Sequence, residues 1–219
     1  MHHELREFDS ADLVADAAAD YVVEYAKRCI RTRGEFIFAV SGGRTPWAMF
    51  ERLATKRLDW SNVTIYQVDE RIAPAGDPTR NLTNLEQSLG SARPTIIPMP
   101  VNDADLNQAA RAYSALVPER LDLVHLGLGP DGHTASLLPG DPDLDVRDSL
   151  VAVSALYQGE HRMTLTYPAL ARAEQLLWLV TGDDKKTALA LLLAGDASIP
   201  AGLVEAHASL VMADVEALS

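Results

Sequence analysis

The sequence has little cysteine, few cationic residues and no long apolar run. Cys29 is the one cysteine among 219 residues, so the chain cannot form an internal disulfide, and this favours a reducing compartment. No apolar run approaches the roughly 18 residues that a membrane helix needs. The first residues, MHHELREFDS, lack the apolar centre of a secretory signal. We therefore expect a cytoplasmic protein with no membrane partner.

The shortage of positive charge excludes another class of partner. Lysine and arginine number 19 against 31 acidic residues, which gives a formal net charge of −12. Nucleic-acid binding requires a basic face, so we expect no nucleic-acid partner. A small anionic ligand is still compatible with this charge, because salt screens charges beyond about 10 Å. Whether such a ligand can bind therefore depends on the cations that lie close to its binding site.

What the sequence does contain is a regular alternation of two kinds of segment. Short runs rich in β-branched residues predict buried strands, and Ala-rich amphipathic stretches predict helices. The predicted strands are 35–40, 63–68, 121–126, 150–154, 163–166, 175–180 and 209–213; the predicted helices are 11–31 (with Ser10 as N-cap), 46–53, 103–116 and 184–193. This alternation predicts one α/β domain over 1–219, with a mainly parallel sheet flanked by helices.

Ligands of such sheets bind beyond the carboxyl ends of the strands, and the first unusual strand end is glycine-rich. It reads Ser41-Gly42-Gly43-Arg44-Thr45-Pro46. Loop amides followed by a helix N-terminus form an anion site, and Arg44 adds a cation. The motif also approaches the nucleophile elbow G-x-S-x-G, with Ser41 as nucleophile. It lacks the first glycine, but a serine hydrolase stays open as an alternative.

The second unusual strand end is Asp69-Glu70-Arg71. Two carboxylates and a guanidinium are costly to bury unless they are paired or used, so a solvated loop is slightly favoured on this motif alone. A loop-like segment follows and ends at Asn81, which we expect to be the N-cap of a helix that runs through Leu89.

The third strand end runs from Gly127 to Ser136 and reads GLGPDGHTAS. It formally contains the dinucleotide pattern G-x-G-x-x-G, but Pro139-Gly140 would end any helix after less than two turns, and Asp131 would place a carboxylate against a pyrophosphate. What remains is Asp131 and His133 in a glycine-rich loop. An imidazole near a carboxylate is suited to general-base catalysis, because histidine titrates close to neutral pH.

Two further cations complete the candidate site. Arg162 opens the predicted strand RMTLT, and Lys185 lies at the start of a predicted helix, where a cation opposes the helix dipole. A lysine at this unfavourable position is one reason to suspect that its side chain binds a ligand. The remaining histidines have no metal-ligand spacing, and we interpret them as structural; they are His2, His3, His125, His161 and His207. We expect neither a metal nor a cofactor.

Taken together, these motifs resemble the glucosamine-6-phosphate isomerase/6-phosphogluconolactonase family over nearly the whole chain. The matching pieces are SGGRTP, VDER with a later Asn81, GLGPDGHTASLLPG, RMTLT and TGDDKK, in the family's order. The resemblance implies the NagB-like three-layer α/β fold. It also implies a site for a phosphorylated sugar, in which Lys185 grips the phosphate and Ser41, Thr45, Asp69, Arg71, Asn81 and Arg162 contribute to binding. Monomer and dimer both stay open.

The family has two main chemistries, and the third motif distinguishes them. The deaminase branch typically has a catalytic glutamate five residues after the histidine, whereas this sequence has Leu138 there. The sequence has DER where that branch has DEY. The resemblance therefore implies the lactonase branch, with His133 as general base and Asp131 orienting the loop or the ring. Arg80, where lactonases commonly have serine, departs from the pattern.

Overall fold

The computed structural model describes residues 2–156 and 159–219. The strands within these residues are β1 Glu4–Phe8, β2 Phe36–Val40, β3 Val63–Gln67, β4 Asp69–Arg71, β5 Thr95–Ile97, β6 Leu123–Leu126, β7 Val151–Val153, β8 Arg162–Leu165, β9 Leu176–Val180 and β10 Ser209–Asp214. The helices are α1 Ala11–Arg33, α2 Arg44–Ala54, α3 Asn81–Leu89, α4 Leu106–Ser114, α5 Tyr167–Leu170, α6 Lys186–Ala194 and α7 Val215–Leu218.

Seven of these strands form one parallel sheet in the order β1-β10-β9-β6-β2-β3-β5. From β2, the chain adds β3 and then β5 on one side of the sheet. It then adds β6 and β9 on the other side of β2. The strand order therefore reverses between β2 and β6, where Val40 pairs with His125. Connections leaving two such strands in opposite directions open a crevice at their carboxyl ends, so the fold places a crevice next to Ser41 and Gly127.

Apolar clusters cover both faces of this sheet. One cluster joins α1, α2 and α3 to the sheet through side chains such as Val22, Phe50 and Leu85. The other joins α4, α5 and α6 to the opposite face and includes Trp178, which is fully buried. These layers confirm the predicted three-layer α/β fold with a mainly parallel sheet. None of the helices in the described residues is long and apolar enough to cross a membrane.

The other three strands form a separate antiparallel sheet in the order β4-β8-β7. The strands predicted at 150–154 and 163–166 therefore exist, but they do not belong to the parallel sheet. The solvated loop favoured at 69–71 is wrong, because this segment is β4, where Asp69 is 5% exposed and Glu70 is fully buried. The assignment of 1–219 to one domain stays a prediction.

The longest helix, α1, has the ends that its sequence predicts. Ser10 accepts a hydrogen bond from the Leu13 amide at the N-terminus, which satisfies one otherwise unpaired amide. Gly34 closes the other end with a left-handed φ of 84°, a conformation that glycine adopts without strain. Its buried positions recur at helical spacing; they are Val14, Ala15, Ala18, Ala19, Val22, Val23, Ala26 and Cys29.

Other boundaries differ from the predictions for local reasons. Helix α2 begins at Arg44 instead of Pro46, because the Trp47 amide already bonds to the Gly43 carbonyl. Helix α4 begins at Leu106 instead of residue 103, since Asp105 is its side-chain N-cap. The helix predicted from 184 starts as a 3₁₀ turn, Asp183–Lys185, and becomes α-helical at Lys186. The sequence does not predict the edge strands β1 and β5.

A buried carboxylate ties the amino-terminal edge of the sheet together. Asp122 is fully buried and accepts a hydrogen bond from the Ile37 amide at 2.9 Å. Arg33 at the end of α1 pairs with it at 2.5 Å, and Arg120 Nε lies 3.3 Å away. One side chain thus joins α1, β2 and the start of β6. Since β2 and β6 carry two of the three site motifs, this contact supports the crevice from the opposite end of the strands.

We predict that Asp122→Ala lowers the free energy of unfolding by about 2 kcal/mol, because it leaves the Ile37 amide without its acceptor and breaks the ion pairs. Urea denaturation measures the change. Glu119→Ala is the matched control, since Glu119 forms an exposed pair with Arg172 and such pairs contribute under about 1 kcal/mol. Equal losses in the two variants would contradict a special role for Asp122.

Candidate active site

A cleft with a volume of about 190 Å³ opens at the carboxyl ends of β2 and β6. Nine of the predicted site residues line it: Ser41, Gly42, Gly43, Asp69, Arg71, Asn81, His133, Arg162 and Lys185. Their positions in the sequence span 145 residues, and the parallel sheet brings them together because its carboxyl ends share one edge. Further lining comes from Gly127, Leu128, Gly129, Pro130 and Ala135, which the sequence analysis did not assign to the site.

Three predicted residues do not line this cleft. Arg44 and Thr45 border a neighbouring depression that shares Gly43 and Lys185 with the cleft. The Thr45 hydroxyl lies 2.7 Å from the Thr181 hydroxyl, so it joins the start of α2 to the end of β9. Asp131 lies behind His133. The glycine-rich loop after β2 therefore borders two neighbouring depressions, and Arg44 lines the second one.

The loop between β2 and α2 needs its glycines for two different reasons. Gly43 has a φ of 137°, a left-handed conformation that other residues rarely adopt. A Cβ on Gly42 would collide with the Asn81 side chain and with the Trp47 ring, so the backbone passes directly beneath these groups. The loop then enters the 11-residue helix α2, whose first amides have no partner within the helix. Such a helix N-terminus favours an anion.

His133 lines the same cleft and forms a pair with Asp131. The Asp131 Oδ1 atom lies 2.5 Å from His133 Nδ1 and accepts a hydrogen bond from the His133 amide at 3.2 Å. The same oxygen therefore orients both the loop and the ring. Burial alone would raise the pKa of Asp131, but the attraction of His133 and these hydrogen bonds hold the pKa below its usual value. A Cβ on Gly129 would meet both side chains, so this glycine gives the pair its space.

The short strand β4 sends alternate side chains in opposite directions. Asp69 and Arg71 line the cleft, whereas Glu70 points into the interior. Asn81 joins the two cleft residues, since its amide group donates to the Asp69 carboxylate at 3.2 Å and its oxygen accepts from Arg71. Ser136 donates to the other Asp69 oxygen at 2.8 Å. Burial raises the pKa of Asp69, although Arg71, Ser136 and Arg162 act in the opposite direction.

The Glu70 carboxylate organises the segment that carries Asn81. It accepts hydrogen bonds from five groups: Gln67 Nε2, Arg80 Nε and the amides of Arg71, Asn81 and Leu82. The last two amides belong to the first turn of α3, so a carboxylate from β4 caps this helix. The predicted N-cap role of Asn81 is wrong. The cap position is Arg80, and Asn81 is the first helical residue, which frees its side chain for the cleft.

Arg80, the residue that departs from the family pattern, is 4% exposed and supports the same arrangement. Its Nε lies 3.3 Å from Glu70, and its Nη1 donates to Asn102 at 3.0 Å. Asn102 in turn donates to the Ala73 carbonyl. The departure therefore replaces a small residue with a buried cation that ties the loop before α3 to the segment after β5.

Ser41 is poorly placed to act as an activated nucleophile. Within the described residues its Oγ atom is buried and has no hydrogen-bond partner, whereas a serine nucleophile requires a base in hydrogen-bonding contact. Two residues also separate Ser41 from the start of α2. The geometry thus argues against the nucleophile elbow and favours Ser41 as a hydroxyl that faces a ligand.

One polar residue beneath the cleft was interpreted as structural from the sequence. His125, on β6, is fully buried, and neither ring nitrogen has a hydrogen-bond partner in the described residues. Burial lowers its pKa to about 3, and the Ser41 backbone opposes this shift. No ionisable side chain contributes to the shift, so His125 is a neutral imidazole at physiological pH.

Comparison with known proteins matches this chain to one family. The family model described as glucosamine-6-phosphate isomerases/6-phosphogluconolactonase matches residues 9–212. The chain belongs to this family. A 6-phosphogluconolactonase of Rhizobium meliloti (strain 1021) is 35% identical over 196 residues, which cover 84% of each chain. The sequence resemblance is therefore confirmed.

Two solved structures show that both branches of the family share this fold. A 6-phosphogluconolactonase from Shewanella baltica has a TM-score of 0.86 at 24% identity and covers 98% of each chain. A monomeric glucosamine-6-phosphate deaminase of the NagB superfamily has a TM-score of 0.85 at 21% identity, again over 98% of each chain. These similarities establish the NagB-like fold. Because the two neighbours are named for different reactions, the fold does not select the reaction.

The sequence resemblance places the difference between the two branches at position 138, which is leucine in this chain. This side chain is 5% exposed, packs in the interior and does not line the cleft. It has no group that could transfer a proton. Across residues 2–156 and 159–219, no cluster of three or more histidine, cysteine or acidic side chains is arranged to hold a metal ion.

We predict that His125 makes this family member less stable in mild acid. Its pKa is about 3 when folded and about 6.5 when unfolded, so below pH 6.5 the unfolded chain binds a proton that the folded chain does not. The free energy of unfolding should therefore fall by about 1.4 kcal/mol per pH unit from this group between pH 6 and 4.

Urea denaturation across that pH range measures how steeply the free energy of unfolding depends on pH. His125→Leu should remove the contribution of His125 to this slope. His207→Gln, which changes an exposed histidine, should keep the wild-type slope. A His125→Leu variant that also keeps it would contradict the assignment.

Proposed function

We propose that this chain is a 6-phosphogluconolactonase, which hydrolyses 6-phospho-D-glucono-1,5-lactone to 6-phospho-D-gluconate. This reaction is the second step of the oxidative pentose phosphate pathway. The observation that carries the proposal is the Asp131–His133 pair, whose histidine lines the same cleft as the glycine loop of Gly42 and Gly43. Leu138 supports the same choice, since the deaminase reaction needs a proton-transferring group that leucine lacks. The curated relatives named as 6-phosphogluconolactonases agree with it.

In the proposed mechanism His133 activates water. Asp131 engages Nδ1, so proton transfer falls to Nε2. As water adds to the C1 carbonyl, a C1–O bond forms and His133 accepts the proton. When the tetrahedral intermediate collapses, the bond between C1 and the ring oxygen breaks, and the same proton passes to that oxygen. The product is the open-chain acid, and the histidine returns to its neutral form.

The substrate's negative charges meet cations at two places. The phosphate binds at the loop of Gly42 and Gly43 beside Lys185, with Arg44 on the outer side of the loop. The C1 oxyanion develops on the side of His133, where Arg71 and Arg162 line the cleft. Asn81 holds Arg71 in place. Stabilisation of charge that develops in the transition state is a large part of catalysis in such reactions.

This mechanism uses neither a metal nor a cofactor, because the lactone carbonyl is already electrophilic and the leaving oxygen stays tethered to the product. The single buried cysteine keeps a reducing cytoplasm as our expected location. A monomer and a dimer are both compatible with the proposal, since the residues invoked belong to one chain.

The first experiment follows freshly prepared 6-phosphogluconolactone through coupled oxidation of the 6-phosphogluconate that forms. Each trace needs an enzyme-free blank, because the lactone also opens in water. A rate well above the blank, unchanged by chelator, is expected. A rate equal to the blank would exclude the lactonase. Ammonia release from glucosamine 6-phosphate would then identify a deaminase, and binding of 6-phosphogluconate without turnover would identify a binding module.

We predict that His133→Ala lowers kcat by about 10²- to 10⁴-fold with a small change in KM, the range that general-base catalysis supplies. Asp131→Asn should lower kcat less, because the amide still occupies the site but no longer orients the ring as a charged acceptor. Steady-state kinetics in the coupled assay measures both. Full kcat in His133→Ala would refute the base assignment. Ser41→Ala that keeps kcat, with no labelling of wild type by a fluorophosphonate probe, would exclude the serine hydrolase.

We predict that Lys185→Ala raises KM by about tenfold or more while kcat changes little, since a hydrogen bond to a charged group contributes about 1.5–3 kcal/mol. Arg44→Ala should raise KM less, because Arg44 lies in the neighbouring depression. Lys186→Ala, one position further along, is the matched control for loss of a nearby lysine. A larger effect at Lys186 than at Lys185 would contradict the proposed phosphate position.

A further inference from the structure

Two buried polar side chains at the cleft, one lining it and one next to it in the sheet, have no hydrogen-bond partner in the described residues. They are Ser41, whose Oγ atom is unpaired, and His125, whose two ring nitrogens are unpaired. Ser41 is 5% exposed and His125 is fully buried. Each such group costs stability when it is left unsatisfied, and native proteins contain few of them. Three unpaired atoms on two residues next to a binding site therefore call for a functional explanation.

Packing does not explain the histidine. His125 lies on the central strand β6 and pairs with Val40 on one side and with Leu177 on the other. Leu123, two positions earlier and so on the same face of the strand, belongs with Val40 and Leu177 to one apolar cluster. An apolar side chain would fit this environment without an unpaired polar atom.

The nearest polar group that affects His125 is the backbone of Ser41. This group raises the pKa of His125, against the larger lowering by burial, as an acceptor does when it faces an imidazole N–H. The Ser41 carbonyl is the acceptor on that backbone. His125 pairs with Val40, the residue before Ser41, in the sheet register, and no well-aligned hydrogen bond joins its ring to the Ser41 carbonyl in the described residues. His125 thus lies directly beneath the first residue of the glycine loop.

We propose that His125 is a positioning residue for the anion loop 41–43: its ring N–H donates to the Ser41 carbonyl when an anion binds, which orients the Ser41 hydroxyl and the loop amides toward the phosphate. The inference rests on the proposed function only in naming a sugar phosphate as the anion. His125 does not line the cleft, so it acts through Ser41 and not on the substrate.

The loop has the freedom that this role requires. Gly43 follows Ser41 by two residues and has a φ of 137°, so small backbone rotations there cost little. The loop contributes no side chain larger than a hydroxyl between Ser41 and the start of α2. One hydrogen bond from a fixed strand is then sufficient to select one orientation of the loop.

Binding of inorganic phosphate and of 6-phosphogluconate, followed by ³¹P NMR and calorimetry, tests this role in four single variants and one double variant. His125→Leu should weaken both affinities by about three- to tenfold, the equivalent of one hydrogen bond. Its KM for the lactone should rise by a similar factor with kcat within about twofold, and its thermal midpoint should stay equal or rise. His125→Gln keeps an N–H donor and should retain most of the affinity.

Leu177→Val is the matched control, because it changes the volume at the neighbouring buried position without a polar group. It should lower the thermal midpoint and leave both affinities unchanged. In a Ser41→Ala background, His125→Leu should have a smaller effect than in wild type, since both changes act on the same loop. Because Ser41→Ala keeps the backbone carbonyl, fully additive losses would overturn the part of the proposal in which His125 orients the Ser41 hydroxyl.

Unchanged phosphate affinity in His125→Leu would overturn the proposal, and so would an equal loss in Leu177→Val, which would show a packing effect. Different results would contradict the proposed function. A wild-type chain that binds phosphate in a His125-dependent way but does not hydrolyse the lactone would keep this inference and remove the lactonase. A chain that hydrolyses the lactone without binding either anion would remove this inference alone.

Discussion

The parallel pairing of β2 with β6 is the constraint on which the site depends. It brings the carboxyl ends of two strands together where the strand order reverses, and each end carries a glycine-rich loop. The loop after β2 presents amides and a helix N-terminus, and the loop after β6 presents Asp131 and His133. The loop proposed to bind the phosphate and the histidine proposed as general base therefore border one cleft.

A buried polar network adds the third side of the cleft. The Glu70 carboxylate gathers five donors and caps α3, and this places Asn81 between Asp69 and Arg71. Because a buried charge is costly unless its hydrogen bonds are satisfied, this network has few alternative geometries. Arg80 strengthens it with a second buried charge. The cations that would meet the substrate's negative charge are thus held by the interior of the protein, and the overall charge of −12 has little influence on them.

The sequence predicted the fold class and most of the cleft. The alternation of apolar runs with amphipathic stretches is a local property, and so are the glycines and the charged residues at strand ends. For this reason β2, β3, β6, β9 and β10 were found, and nine predicted residues line the cleft. The edge strands β1 and β5 were missed because edge strands need no continuous apolar run; β1 is exposed at four of its five positions. The sequence predicts strands at 150–154 and 163–166 but not the separate antiparallel sheet that they form with β4, because pairing partners leave no mark within a single strand.

The sequence by itself determined which chemical groups are available: a glycine loop before a helix, a histidine with a nearby carboxylate, and leucine at position 138. Only the tertiary structure decided how these groups pair. In the structure Glu70 caps α3, so the Asn81 side chain is not the cap and lies in the cleft. Arg44 lies beside the cleft and not in it. The tertiary structure also left His125 unpaired beneath Ser41, although the sequence suggested a structural histidine. Burial and hydrogen bonding depend on neighbours from distant parts of the chain, so residue type and spacing cannot specify them.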